Sequence, residues 1–227
     1  MSYYSIVGAH CYVSTGLEAA KAISNITNAS PPVVTATSHG YANNDEVLLR
    51  VDWEDFNYAI FRVSSVATNS YELTGYDSSD TDFYPAGSDT GNGYEITAWT
   101  EIGQVLGITS SGGDAKFEDL EPYDKRNGIR IPTGFSPASL EFTLGYDSAL
   151  TAQVSMLTAS RVLAKKAFKF VLPGPAYAYC YGTVSASALP TFDRILKRKV
   201  SISIDGPFTS FVSAHALHAH GLGLRRL

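Results

Sequence analysis

Three histidines near the chain's end, His215, His218 and His220, offer imidazoles at a spacing that could gather round a transition metal. The segment that carries them is small, Gly-rich and terminal, so a flexible tail over residues 213–227 is the expectation instead. Asp77, Asp80, Asp82 and Asp89 supply enough carboxylate for a hard cation such as calcium. Their order departs from the D-x-[DN]-x-[DN]-G loop, and a solvated turn is the better reading. Arg194, Lys197, Arg198 and Lys199 form a basic cluster that could meet phosphates. No aromatics interleave with it for base stacking, so a solvated hairpin loop is expected. Cys11 and Cys180 sit in strand-like patterns without a neighbouring base and read as buried free thiols. Nucleophile-elbow, phosphate-loop and dinucleotide signatures are absent. No catalytic residue, cofactor or metal is expected. Sequons at Asn25 and Asn28 read as coincidental, because MSYYSIVGAHCYVST shows no secretory pattern.

The elements around these residues are mostly strands. SLEFTLGY places Leu140, Phe142, Leu144 and Tyr146 on one face, with Ser139, Glu141 and Thr143 on the other. KVSISID repeats the alternation, with Val200, Ile202 and Ile204 opposite Ser201, Ser203 and Asp205. In KAFKFVLP, Phe168, Phe170 and Leu172 share a side. In YAYCYG, Tyr177, Tyr179 and Tyr181 share a side, with Ala178 and Cys180 behind. The fourteen tyrosines hint at assembly, since a ring with a polar tip suits interfaces. ALTAQVSMLTASRVLAKK (149–166) predicts one helix with a stripe of Leu150, Val154, Leu157 and Arg161, capped by Asp147 or Ser148. One helix among many strands implies a mainly β sandwich or barrel with a helix packed on it.

Charge divides the chain. Residues 24–97 hold eleven acids and two bases, net −9; the rest holds eleven acids and fifteen bases, net +4. PPVVTATSHGYANNDEVLLR (31–50) reads as a compact hairpin unit. EVLLRVDW, AIFRVSSV and SYELTGY follow at short spacing. These residues are read as a small all-β module. PYDKRNGIRIPTGFSP (122–137) mixes charge, Gly and Pro, and predicts a long loop or hairpin arm.

The order of these pieces resembles the tail tube proteins of long, non-contractile phage tails. EIGQVLGITSSGGDAKFEDLEPYD (101–124) is similar to their strand, Gly-rich turn and acidic strand entering an extended loop. RIPTGFSPASLEFTLGYD, the single helix, KAFKFVLPGPAYAYCYGTVSA and KRKVSISIDGPF follow in the same order, and GAHCYVST resembles the first strand. The likeness covers roughly 140 residues, a usual domain size. NITNASPPVVTATSHGYANNDEV with YELTGYD resembles a small β module of phage virion proteins, named after a half-domain of ubiquitin-activating enzymes.

The resemblance implies a tail-tube β-sandwich or barrel core over 1–23 and 98–212, split by an inserted small all-β module at 24–97. It implies a virion protein of the phage tail, assembled in the host cytoplasm. Identical copies would form hexameric rings stacked helically into a hollow tube. Its partners would be the tape measure inside, terminator and distal-tail proteins at the ends, and double-stranded DNA passing through without sequence-specific binding. An arm formed by Pro122, Tyr123, Asp124, Lys125, Arg126, Asn127, Gly128, Ile129, Arg130, Ile131 and Pro132 would order against the next ring. The bore should lack unbalanced positive charge, because attraction to phosphates slows passage. The insert, with its net −9, is expected as an outward decoration whose removal leaves assembly intact. Alternatives are a terminator or distal-tail ring protein, or a monomeric carbohydrate- or receptor-binding β module. A hydrolase is the weakest reading, with no paired acid and base.

Overall fold

A computed structural model describes residues 8–212, apart from 88, 122, 124, 125, 174, 175 and 193. The His-rich segment 213–227 and residues Pro122, Asp124 and Lys125 of the arm lie outside the described residues. The chain enters with β1 (His10–Gly16), which buries Cys11 and Val13. It then leaves the main sheet for a seven-stranded one. That sheet comprises β2 (Lys21–Ile23), β3 (Asn25–Ile26), β4 (Val33–Thr35), β5 (Glu46–Val51), β6 (Ile60–Ala67), β7 (Ser70–Leu73) and β8 (Gly91–Glu95), in the order β2-β8-β5-β6-β7-β4-β3.

Residues 31–50 do not form a hairpin. β4 pairs with β7 and β3, while β5 pairs with β6 and β8. The intervening turn is instead pinned to a distant strand end, with the ring Nε2 of His39 2.9 Å from the Ala67 carbonyl. That anchor carries the chain across the unit. β5, apolar on both sides at Val47, Leu48 and Leu49, goes to the protected centre of the sheet.

The chain returns through β9 (Ala98–Glu101), β10 (Val105–Ser111), β11 (Ala115–Leu120), β12 (Ile129–Phe135) and β13 (Ser139–Gly145). After α1 (Thr151–Arg161) come β14 (Lys165–Leu172), β15 (Ala176–Ala186), β16 (Thr191–Phe192), β17 (Leu196–Ile204) and β18 (Thr209–Val212). The main path is β10-β13-β17-β15-β14-β1-β9, antiparallel throughout, with β16 added to β17 and β18 to β15. Its two outermost strands, β9 and β10, are joined by only Ile102, Gly103 and Gln104. Three residues span at most about 10 Å, so the sheet must curl until its margins nearly meet. The fold is mainly β, with a nearly closed barrel-like sheet, one helix and the smaller all-β sheet.

The concave face holds the core that the alternating pattern predicts. Leu140, Phe142 and Leu144 meet Val200 and Ile202 across the ladder, and Phe168 and Phe170 come from β14. Phe142 and Phe170 stack with ring planes 1° apart. The helix covers this core through Ala152, Gln153, Met156 and Ala159 rather than the expected Leu/Val stripe; Val154 is 47% exposed. Small alanines let the helix lie close against β15, and Met156 fills the remaining gap. Neither expected cap closes its first turn: Leu150 occupies the N-cap position without a side-chain bond. Asp147 instead accepts from the Ala149 N–H at 2.9 Å and shapes the preceding turn.

Candidate assembly surfaces

Residues paired across an antiparallel ladder project to the same side, so the registers divide the convex face of the main sheet into two halves. On β14 and β15, Lys169 lies opposite Tyr179 and Ala167 opposite Tyr181, with Tyr177 further along. The tyrosine stripe read from the sequence is therefore real, but its partner is internal. Tyr58 of the small unit stacks on Tyr181, 5.7 Å apart and 8° from parallel. Phe211 of β18 sits 5.7 Å from both Tyr76 and Tyr179. One continuous apolar cluster contains Phe56, Phe61 and Tyr71 of the small unit together with Ala167, Tyr179 and Phe211. Gly206, in the turn after β17, lies so close that a Cβ there would come 2.6 Å from the Tyr58 carbonyl oxygen. The small unit is thus packed face-on against the barrel, not tethered beside it.

An ion pair is sealed in this contact. The Lys169 ammonium reaches both carboxylate oxygens of Glu46, at 3.2 and 3.1 Å, and lies 4.7 Å from the Trp99 ring centre. The Tyr179 hydroxyl donates to Glu46 at 2.6 Å. Burial, and then the Glu46 charge, push the Tyr179 hydroxyl's pKa well up. Glu46→Ala should destabilise the fold by about 3 kcal/mol, because it leaves an ammonium without a partner in a mostly dry contact. Glu46→Ala with Lys169→Met should recover most of the loss, read as the shift in urea midpoint.

The other half of the convex face is uncovered and made of short hydroxyl side chains. One row crosses four strands as Ser111, Ser139, Ser203 and Thr183; the next runs Thr109, Glu141, Ser201 and Ser185. None of these residues is buried. Glu141, the charge within the two rows, is paired with Lys199 at 2.7 Å. The alternation in SLEFTLGY and KVSISID produces this surface directly, since every second residue there is polar.

The third surface is an arm. β11 and β12 form a separate two-stranded ribbon, rooted where Ser136 donates to the Asp114 carbonyl at 2.8 Å. All residues of both strands are exposed, including Phe117, Leu120, Ile129, Ile131 and Phe135. An isolated ribbon of this kind is marginal in water. Arg130 pairs with Asp119 at 3.1 Å and lies over the Phe117 ring. Ile129, Arg130, Ile131 and Pro132 of the expected arm lie in β12, whereas Tyr123, Arg126, Asn127 and Gly128 belong to the connection at its tip. The apolar residues of β11, and Phe135, were outside the expected set. Their alternation is interrupted by Glu118 and Asp119, which hides the pattern.

The remaining candidates resolve into structure. Among the described residues no three His, Cys, Asp or Glu side chains come together as a metal site. Asp77 and Asp80 each accept from a backbone N–H two residues on, and Asp89 accepts from Ile26. Burial pushes the Cys11 and Cys180 thiols up to about 11 and about 12. The basic cluster does not sit together in solvent: Arg194 is exposed, but Arg198 is 3% exposed, its guanidinium 4.7 Å from the centre of the Tyr146 ring. On β17 it alternates with Lys199 and so faces inward with Val200.

No curated protein matches the chain. Among solved structures, the sheath/tube terminator of the PVC extracellular contractile injection system is 15% identical at TM-score 0.36, covering 49% of this chain and 87% of that one. The tube-terminating cap of the anti-feeding prophage is 16% identical at TM-score 0.34, covering 50% and 83%. The PVC sheath–tube complex is 15% identical at TM-score 0.33, covering 46% and 79%. Residues 52–213 match the family described as "Phage tail tube protein, TTP". That span is well over half of the 227 residues and takes in the aromatic contact, the hydroxyl face and the arm. The chain belongs to the phage tail tube protein family, whose members are structural proteins of the tail and not enzymes.

Proposed function

We propose that this protein is a tube subunit: copies close into rings, and the rings stack into a hollow cylinder that conducts double-stranded DNA. The observation that carries this reading is the arm, a ribbon of exposed apolar residues that gains a partner only from another chain. Six copies per ring, with terminator, distal-tail and tape-measure proteins as neighbours, follow from the resemblance. A terminator or distal-tail ring protein would use the same barrel but stop at one ring.

The hydroxyl face suits the wall of the bore. Hydroxyls hydrogen-bond water and phosphate alike, and the paired Glu141 and Lys199 leave little net field to hold a polyanion. The small unit over residues 24–97, which resembles the virion module noted above, then stands on the covered half of the sheet and forms part of the tube's body. The flexible tail assigned to 213–227 completes the proposed division.

Electron microscopy of the concentrated protein tests this. Cylinders of uniform width are expected, with Ser201 and Ser203 facing the channel. A monomer at all concentrations, or a bore lined by unpaired lysines, would overturn it.

A further inference from the structure

We propose that a groove at the end of the barrel opposite the arm's root receives the arm of the next copy, so that copies stack head to tail. This rests on the tube reading above and names the partner surface that reading lacks.

β13 connects the two places. It starts at Ser139, beside the root of the arm, and ends at Gly145. That separation is about 20 Å at the rise of an antiparallel strand. At the far end, the start of β10 and the β16–β17 turn enclose a groove of about 450 Å³, lined by Val105, Leu106, Tyr146, Ile195 and Leu196 with Gln104. It is apolar yet open: Leu106 is 50% exposed and Ile195 54%. Phe192, paired with Leu196 in the adjoining turn, is 79% exposed. A cluster this apolar at a strand end asks for cover.

Two features identify the cover. First, the charges match. Residues 187–199 around the groove carry four bases and one acid, whereas residues 115–121 of the arm carry three acids and one base. Arg198, beneath Tyr146, has a buried Nε with no hydrogen-bond partner. No carboxylate pairs with it among the described residues. Glu118 and Glu121 are exposed on the arm. Second, the direction matches. β11 has six residues and extends about 20 Å, long enough to reach past one copy onto the next. A two-fold stack would press acidic arm on acidic arm, or basic groove on basic groove. Only a repeated head-to-tail contact joins unlike ends, and such a contact propagates without limit.

Cysteine pairing in the full-length protein tests the contact. Cys11 and Cys180 are buried, so an introduced thiol is the reactive one. The single variants Phe117→Cys and Ile195→Cys, mixed under mild oxidation, should give disulfide-linked pairs, and the double variant a ladder of multimers. Neither single variant should link to itself. Independently of exact register, Ile195→Cys should lose its maleimide reactivity when the protein assembles. Self-linking of Ile195→Cys, or equal reactivity in assembled and dispersed protein, would overturn the head-to-tail groove while leaving the tube itself standing. A protein that never assembles removes the tube reading and this contact with it.

Discussion

Excision of residues 24–97 should yield no soluble, cooperatively folding protein. The charge of this segment alone reads as a detachable projection, and the expectation from sequence was that assembly survives its loss. The packed contact reverses that expectation. Excision bares Trp99, Tyr177, Tyr179, Tyr181 and Phe211, all packed in or against the cluster shared with the small unit. Each aromatic exposes on the order of 100 Å². At about 25 cal/mol per Å² the five together forfeit on the order of 10 kcal/mol. That is comparable with the whole stability of a domain, about 5–15 kcal/mol. Excision also removes Glu46 from Lys169 and the Ile60 carbonyl from the Thr209 hydroxyl, which donates to it at 2.6 Å. Soluble yield, near-ultraviolet circular dichroism and thermal melting report the outcome. A sharp melt and a clear aromatic spectrum from the excised core would show that the small unit is dispensable after all.

Excision of the arm should do the opposite: leave folding untouched and stop assembly. Gly113 donates to the Ser136 carbonyl at 3.1 Å, so the two ends of the arm are already neighbours and a short Gly-Ser turn can join them. The strands removed are wholly exposed. Their ion pair, Asp119 with Arg130, is a surface pair worth about 0–1 kcal/mol. The melting temperature should therefore move little. Sedimentation and microscopy should show monomers or single rings where the intact chain gives cylinders. Long cylinders from the armless chain would mean that stacking is carried by the barrel rims alone.

The sequence by itself determined the local facts. Alternation in SLEFTLGY and KVSISID assigned Leu140, Phe142, Val200 and Ile202 to one side and the hydroxyls to the other, because a pleated strand has a period of two whatever surrounds it. The lone helix was placed to within a few residues by its composition. The tyrosine stripe at 177, 179 and 181 was equally plain.

Tertiary structure decided what each face meets. The tyrosines read as a surface for other molecules, yet the chain's own Tyr58 and Phe211 cover them. Leu150, Val154 and Leu157 read as the helix's buried stripe, yet alanines and Met156 face the sheet, since the closeness of β15 selects for size as well as hydrophobicity. β4 and β5 read as a hairpin, yet each pairs with strands more distant in sequence. Arg198 read as solvated and is buried, because its place on β17 aims it inward. In each case the deciding term is a contact between residues far apart in the chain, and such a contact depends on how the whole sheet curls rather than on any one segment's pattern.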